Sequence, residues 1–127
     1  MEWHFDDNMP IYTQLVYQIK FAIVSGELSP GEKMAGVRDL AADAGVNPNT
    51  MQRALQQLER EGLVSTQRST GRFITEDTAV IGEAKRTLAR QHIEQFMASM
   101  KKLGYTREEI IALLESGEEE DKNGSML

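Results

Sequence analysis

The chain has 127 residues, 40% of them hydrophobic and 27% charged, with a formal net charge of −6, two histidines and no cysteine. Such a composition fits one globular domain, or one domain with a small appendage, and excludes a disordered chain. It also excludes disulfides, thiolate metal sites and cysteine nucleophiles, so a catalytic or metal constellation would have to be built almost wholly from carboxylates.

Pro10 is well placed at the first position of a helix, where its missing N–H is no loss. Ile11, Leu15, Ile19, Ala22 and Ile23 follow at spacings of three and four and make one apolar stripe. Gly26 ends this helix, and Leu28-Ser29-Pro30-Gly31-Glu32 reads as a turn. A short second helix is expected from about Gly36 to Ala44, with Val37, Leu40 and Ala41 inward and Gly45 as its stop. Asn47 is a strong N-cap with Pro48 next to it. The third helix, which they open, turns Met51, Ala54, Leu55 and Leu58 inward and closes at Gly62. Leu63–Thr66 and Arg72–Thr75 are rich in β-branched and aromatic residues around a glycine-containing turn at Gln67–Gly71, which predicts a hairpin.

This order is a winged helix-turn-helix over residues 9–77, with the helix-turn-helix at about 37–56 and the wing at 63–75. Past Asp77 a helix is predicted from about Val80 to Leu103, closed by Gly104. Thr106 and Glu109 form a capping box that opens a short apolar helix with Ile110, Ile111, Leu113 and Leu114. The expected fold class is mostly α (α+β): a winged helix-turn-helix, then a two-helix dimerisation segment over 78–115, then an acidic, disordered tail over 116–127. A helix pair of this size cannot bury its own apolar face. That predicts a symmetric homodimer through Leu88, Ile93, Phe96, Met97, Met100 and Leu103.

The negative net charge hides an uneven distribution. Lys33 to Thr75 holds six basic and four acidic residues, netting +2, whereas Glu115 to Leu127 holds five acids and one lysine, netting −4. The locally basic middle coincides with the helix-turn-helix and the wing, the distribution expected of a nucleic-acid binder. Side chains near a helix N-terminus can reach base edges in the major groove. Asn47, Asn49, Thr50, Gln52 and Arg53 occupy that place on the third helix, and Arg38 starts the second. At the wing, Arg68 and Arg72 flank Ser69, Thr70 and Gly71, a slim basic tip suited to a minor groove. Lys33 is placed for a phosphate.

Plainer roles compete with some of these. Asn47 caps its helix in any case, Arg53 could be a solvated surface residue, and Arg68 and Arg72 could be edge-strand charges that discourage aggregation. Arg60, between Glu59 and Glu61, reads as part of a solvated face. Trp3, Phe5 and Tyr12 read as packing anchors, Met97 and Met100 as core or interface, and His4 and His92 as surface or packing residues. No run of about 18 apolar residues predicts a membrane span, and the first residues lack a secretory pattern. The expected compartment is the cytoplasm, with no membrane partner. No HExxH, GxSxG or GKS/GKT string occurs, so neither an enzyme, a metal nor a cofactor is expected.

Pro10-Ile11-Tyr12-Thr13-Gln14-Leu15, Ile19, Ile23, Gly26, Leu28, Pro30-Gly31, Arg38, Leu40-Ala41, Val46-Asn47-Pro48-Asn49-Thr50, Arg53-Ala54, Leu58-Glu59, Glu61-Gly62-Leu63 and Gly71-Arg72-Phe73 together resemble the GntR family of bacterial transcription regulators. The short two-helix C-terminal part resembles the YtrA subfamily. The resemblance implies a homodimer on a double-stranded DNA operator, usually a repressor of its own or a neighbouring transporter operon. It assigns DNA contact to Arg38, to Asn47, Asn49, Thr50 and Gln52, and to the wing from Arg68 to Gly71. A small-molecule effector of such a protein would need the cleft between the helix pair and the winged part. Two departures stand out. Met34-Ala35-Gly36 replaces the family's Leu-Pro-Ser, which predicts a weaker cap on the second helix. Ser69 replaces a wing glycine, which predicts restricted positive φ and shallower wing insertion. The alternative reading is a winged-helix protein-interaction module without DNA binding, suggested by the excess acid and the missing serine. Steep loss of binding with added salt separates DNA binding from it.

Overall fold

The computed structural model describes residues 1–122. In chain order these form α1 (Ile11–Val24), α2 (Val37–Ala44), α3 (Pro48–Arg60), β1 (Val64–Gln67), β2 (Gly71–Ile74), α4 (Thr78–Lys102) and α5 (Arg107–Lys122). Helix boundaries follow the capping residues. Asn47 takes extended backbone, and its side-chain oxygen accepts from the Asn49 N–H at 2.7 Å, with Pro48 at the first helical position. Gly36 caps α2 with no side-chain hydrogen bond, as its lack of a hydroxyl dictates. Gly45 ends α2 at φ +72°, while the Val46 N–H returns to the Ala41 carbonyl at 2.9 Å. A Cβ at Gly45 would touch nothing within 4 Å, so only the left-handed backbone demands glycine there.

The chain divides into two compact units, Met1–Thr87 and the remainder from Leu88, so the division falls inside α4 rather than after Asp77. The first unit owns the core. Leu15, Ile19 and Ile23 of α1 join Ala41 of α2, Met51, Ala54, Leu55 and Leu58 of α3, and Leu63, Val64 and Ile74 of the hairpin. Val80, Ile81 and Ala84, at the start of α4, pack against this cluster.

β1 and β2 pair antiparallel with Val64 opposite Ile74 and Gln67 opposite Gly71. Each strand lies about one residue from its predicted place, within the usual uncertainty of element ends. The segment read as a turn and its continuation lie along β2. Met34 N–H bonds to the Arg72 carbonyl, Ile74 N–H to the Glu32 carbonyl and Gly31 N–H to the Ile74 carbonyl, each at 2.9 Å.

The residues ahead of α1 also belong to this unit. Gln14, buried on α1, donates to the Asp6 and Met9 carbonyls at 2.7 and 2.9 Å and accepts from the Asp6 N–H at 2.7 Å. One turn later Gln18 donates to the His4 carbonyl at 2.6 Å and accepts from the His4 N–H at 3.1 Å. Trp3 and Phe5 stack at 6.2 Å and pack on the core, as anchors should, and the Trp3 indole donates to Asp43 of α2 at 2.8 Å.

α4 starts at Thr78, earlier than predicted, because the Asp77 carboxylate accepts from Ala79 N–H at 3.0 Å and Val80 N–H at 3.4 Å and so caps the helix. In the second unit the capping box forms in both directions. Glu109 accepts from the Thr106 N–H at 2.9 Å, and the Thr106 hydroxyl accepts from the Glu109 N–H at 3.2 Å. Hydrogen bonds to the Glu109 carboxylate from the Thr106 backbone N–H, and then from its side chain, hold that carboxyl below its ordinary range.

α5 is longer than expected. The sequence predicts a disordered tail over 116–127, yet the helix continues through Ser116 and Gly117 to Lys122; residues 123–127 lie outside the described part. Four of the seven residues from 116 to 122 are Glu or Lys, good helix formers that offset the single glycine.

Candidate nucleic-acid interface

α3 has two faces. Its inner face supplies core residues, and its outer face carries exposed Asn49 and Arg53 with half-buried Thr50 and Gln52. The Asn47 oxygen is engaged by the cap, which leaves its amide N–H2 for an outside partner. The helix N-terminus adds partial positive charge at the same point. Arg38 lies at the second position of α2, exposed, ahead of the glycine turn that leads into α3.

The basic residues of the middle region fall into two groups. Lys33, Arg38 and Arg68 are exposed, and among the described residues their side chains make no hydrogen bond or ion pair. The guanidinium of Arg53 lies over the Tyr12 ring, 4.6 Å from its centroid, and it too has no hydrogen bond or ion pair there. Arg60 and Arg72 are committed within the chain. Arg60 donates to Gln57 at 2.7 and 3.1 Å, and Arg72 Nε donates to the Glu59 carboxylate at 2.7 Å. Arg72, expected among the wing cations, thereby ties β2 to α3 through its Nε.

Lys33 comes to the wing through the bridge it forms with Phe73, and its Cε lies 3.3 Å from where a Cβ on Gly71 would stand. Lys33 and the Arg68–Gly71 loop therefore share one end of the hairpin. Ser69 takes φ +64° in spite of its side chain, with its hydroxyl donating to the Arg68 carbonyl at 2.6 Å. The wing backbone thus reaches the left-handed conformation that the missing glycine was expected to hinder, at about 1–2 kcal/mol of strain.

Glu59 of α3 enters the sequence reading only within the family pattern and beside Arg60, with no role assigned to it. Thr66 and Arg72 are opposite each other in the hairpin, and both hydrogen-bond the Glu59 carboxylate. One acid thus holds both strands of the wing to the helix beside it. Burial pushes the Glu59 carboxyl up, but the hydrogen bonds from Arg72 and Thr66 and the Arg72 charge outweigh that and hold it below its ordinary value. A depressed carboxyl adds stability above the unfolded pKa of about 4.3 and loses it as pH falls through the folded value. The melting-temperature difference between wild type and Glu59→Gln should therefore be positive at pH 7 and shrink toward zero below about pH 4. Melts that differ equally at pH 7 and pH 3 would remove the ion pair as its source.

Residues 11–74 match the family model described as bacterial regulatory proteins, gntR family. The chain belongs to the GntR family. Among its relatives in Bacillus subtilis (strain 168), the HTH-type transcriptional regulator YhcF is 42% identical over 111 residues, which is 87% of this chain and 92% of YhcF. The HTH-type transcriptional repressor YtrA of the same organism is 33% identical over 122 residues, 90% of this chain and 94% of YtrA. A solved GntR family transcriptional regulator from Listeria monocytogenes superposes with a TM-score of 0.82 at 42% identity, over 88% of this chain and 98% of that one. This GntR protein is a DNA-binding transcription regulator of the YtrA type, in a family that is not enzymatic. No helix among its described residues is long and apolar enough to cross a membrane.

Proposed function

We propose that this GntR protein is a homodimeric, cytoplasmic repressor that binds a two-fold symmetric operator controlling its own or a neighbouring transporter operon. The observation that carries the reading is the grouping of unengaged cations. Lys33, Arg38, Arg53 and Arg68 are exposed on the unit that presents the polar start of α3, while the cations beside them are tied up internally. The similarity to a relative named as a repressor supports the direction of regulation. In a symmetric dimer the two α3 helices enter successive major grooves, about 34 Å apart for half-sites one turn apart. Asn47, Asn49, Thr50 and Gln52 read bases, and Lys33, Arg68 and the Ser69–Gly71 tip follow the backbone and the neighbouring minor groove.

The second unit supports the homodimer. Ile93, Phe96 and Leu103 are exposed, at 61%, 43% and 72%, and Met97 and Met100 are half-buried. Leu88, expected in the same interface, is only 5% exposed within the single chain, so the stripe open to a partner starts at Ile93.

Selection of bound sequences from a random DNA pool tests the whole reading, because it reports binding, symmetry and half-site spacing together. On the selected duplex Arg38→Ala should weaken binding by about 1–3 kcal/mol and relax preference at one base-pair position of each half-site. A pool that yields no enriched sequence would favour the protein-interaction alternative.

A further inference from the structure

Tyr12 stands in the second position of α1, where the sequence suggests only a packing anchor. Its ring carries the Arg53 guanidinium at 4.6 Å, and its hydroxyl points to Gln57 Oε1 of α3 at 3.5 Å. Gln57 Oε1 also takes the two Arg60 hydrogen bonds, and Gln57 Nε2 donates to Glu61 at 3.0 Å. Glu61 in turn pairs with Lys20 of α1 at 2.6 Å. The ring is thus carried by α1 and faces Arg53 and Gln57 of α3, with its hydroxyl making only a long contact.

Stacking uses the flat face of a guanidinium and leaves its N–H edge open, and that edge is the part that binds oxygen pairs in its own plane. Arg53 makes no hydrogen bond or ion pair among the described residues, so its donors are unengaged. The stack also sets direction. It holds the guanidinium over a ring at the start of α1. A charge held at the flank of a groove-reading helix meets the sugar-phosphate backbone rather than the groove floor. We infer that Tyr12 is a positioning residue that holds Arg53 ready for a DNA phosphate. The inference rests on the reading of α3 as the DNA-facing helix, and it gives Arg53 a backbone role in place of base readout.

The test is binding of the full chain to two duplexes over a range of salt: a mixed-sequence duplex three helical turns long and the best duplex from the random-pool selection. Arg53→Ala should lower the steepness of the log–log salt dependence by about 0.9 per protomer and weaken both duplexes alike. Tyr12→Leu should weaken binding about two- to fivefold, the range expected for one exposed cation–π contact. It should have no effect in the Arg53→Ala background, whereas Tyr12→Phe keeps the ring and should bind as wild type. Thermal melts establish that each variant is folded.

Equal losses from Tyr12→Leu with and without Arg53 would reduce Tyr12 to ordinary packing. An unchanged salt slope in Arg53→Ala, with altered base preference, would overturn the phosphate assignment even if both Tyr12 variants fail to fold. A wild-type chain with no salt-dependent binding to either duplex would defeat the DNA reading itself, which tells that failure apart from failure of Tyr12 alone.

Discussion

Changing Phe96 and Leu103 together to aspartate should turn the proposed homodimer into a monomer and weaken binding to a full two-half-site operator by about 10²–10⁴-fold, the loss expected when two linked binding events become independent. Both residues are exposed within the chain, at 43% and 72%, so the substitutions should cost one protomer's own fold little. In a dimer each would place a carboxylate in an apolar contact, where an unpaired charge is strongly disfavoured. Sedimentation at micromolar concentration should show the monomer, the melting temperature measured on dilute protein should hold, and a single half-site should bind as before. A double variant that sediments like wild type, or that keeps full operator affinity, would place the dimer contact elsewhere.

Leu55→Ala should destabilise the winged unit by about 2–5 kcal/mol, through lost transfer energy plus the cavity that remains. Leu55 is fully buried in a cluster fed by α1, α2, α3 and the hairpin. Whole domains of this kind are held by only about 5–15 kcal/mol. The substitution should lower the melting temperature by about 4–8 °C per kcal/mol in a unit of this size. The effect reaches DNA binding directly, because Leu55 lies on the same helix as Asn49 and Gln52. Leu55→Met keeps the volume and should cost less than about 1.5 kcal/mol. A Leu55→Ala melt within one degree of wild type would mean that the core is far more plastic than its burial indicates.

Much of the architecture was legible because its signals are short-range. Asn47-Pro48, the Gly45 stop and the Thr106/Glu109 box each act over four residues or fewer, and each formed as read. The start of α4 differs from its predicted place although its signal is equally local, because Asp77, the last residue of the predicted winged domain, acts as a cap. The far end of α5 was misjudged for a different reason: an acidic run reads as solvated tail, yet glutamate is also a good helix former.

The candidate site was legible in kind and not in detail. Arg38, Asn49, Gln52 and Arg68 could be singled out because position relative to a helix start or a hairpin tip follows from the order of elements. Which cations stay available could not be read that way. Arg72 looks like Arg68 in sequence, but it sits opposite Thr66 over Glu59 and is neutralised there. Arg53 differs from any surface arginine only because α1 brings Tyr12 beneath it, across 41 positions of chain.

By itself, the order of amino acids determined the element types, the caps and turns between them, the inward stripes of α1 and α3 and the family to which the chain belongs. Those depend on neighbours a few residues apart, whose distances the covalent chain already sets. Tertiary structure alone decided that Arg72 braces the wing, that Arg53 rests on Tyr12, that Trp3 is tied to Asp43 and that Leu88 is covered while Phe96 is not. Each of these depends on how elements pack, and an ion pair or stack between distant residues exists only once the buried cluster has set the spacing between the helices that carry them.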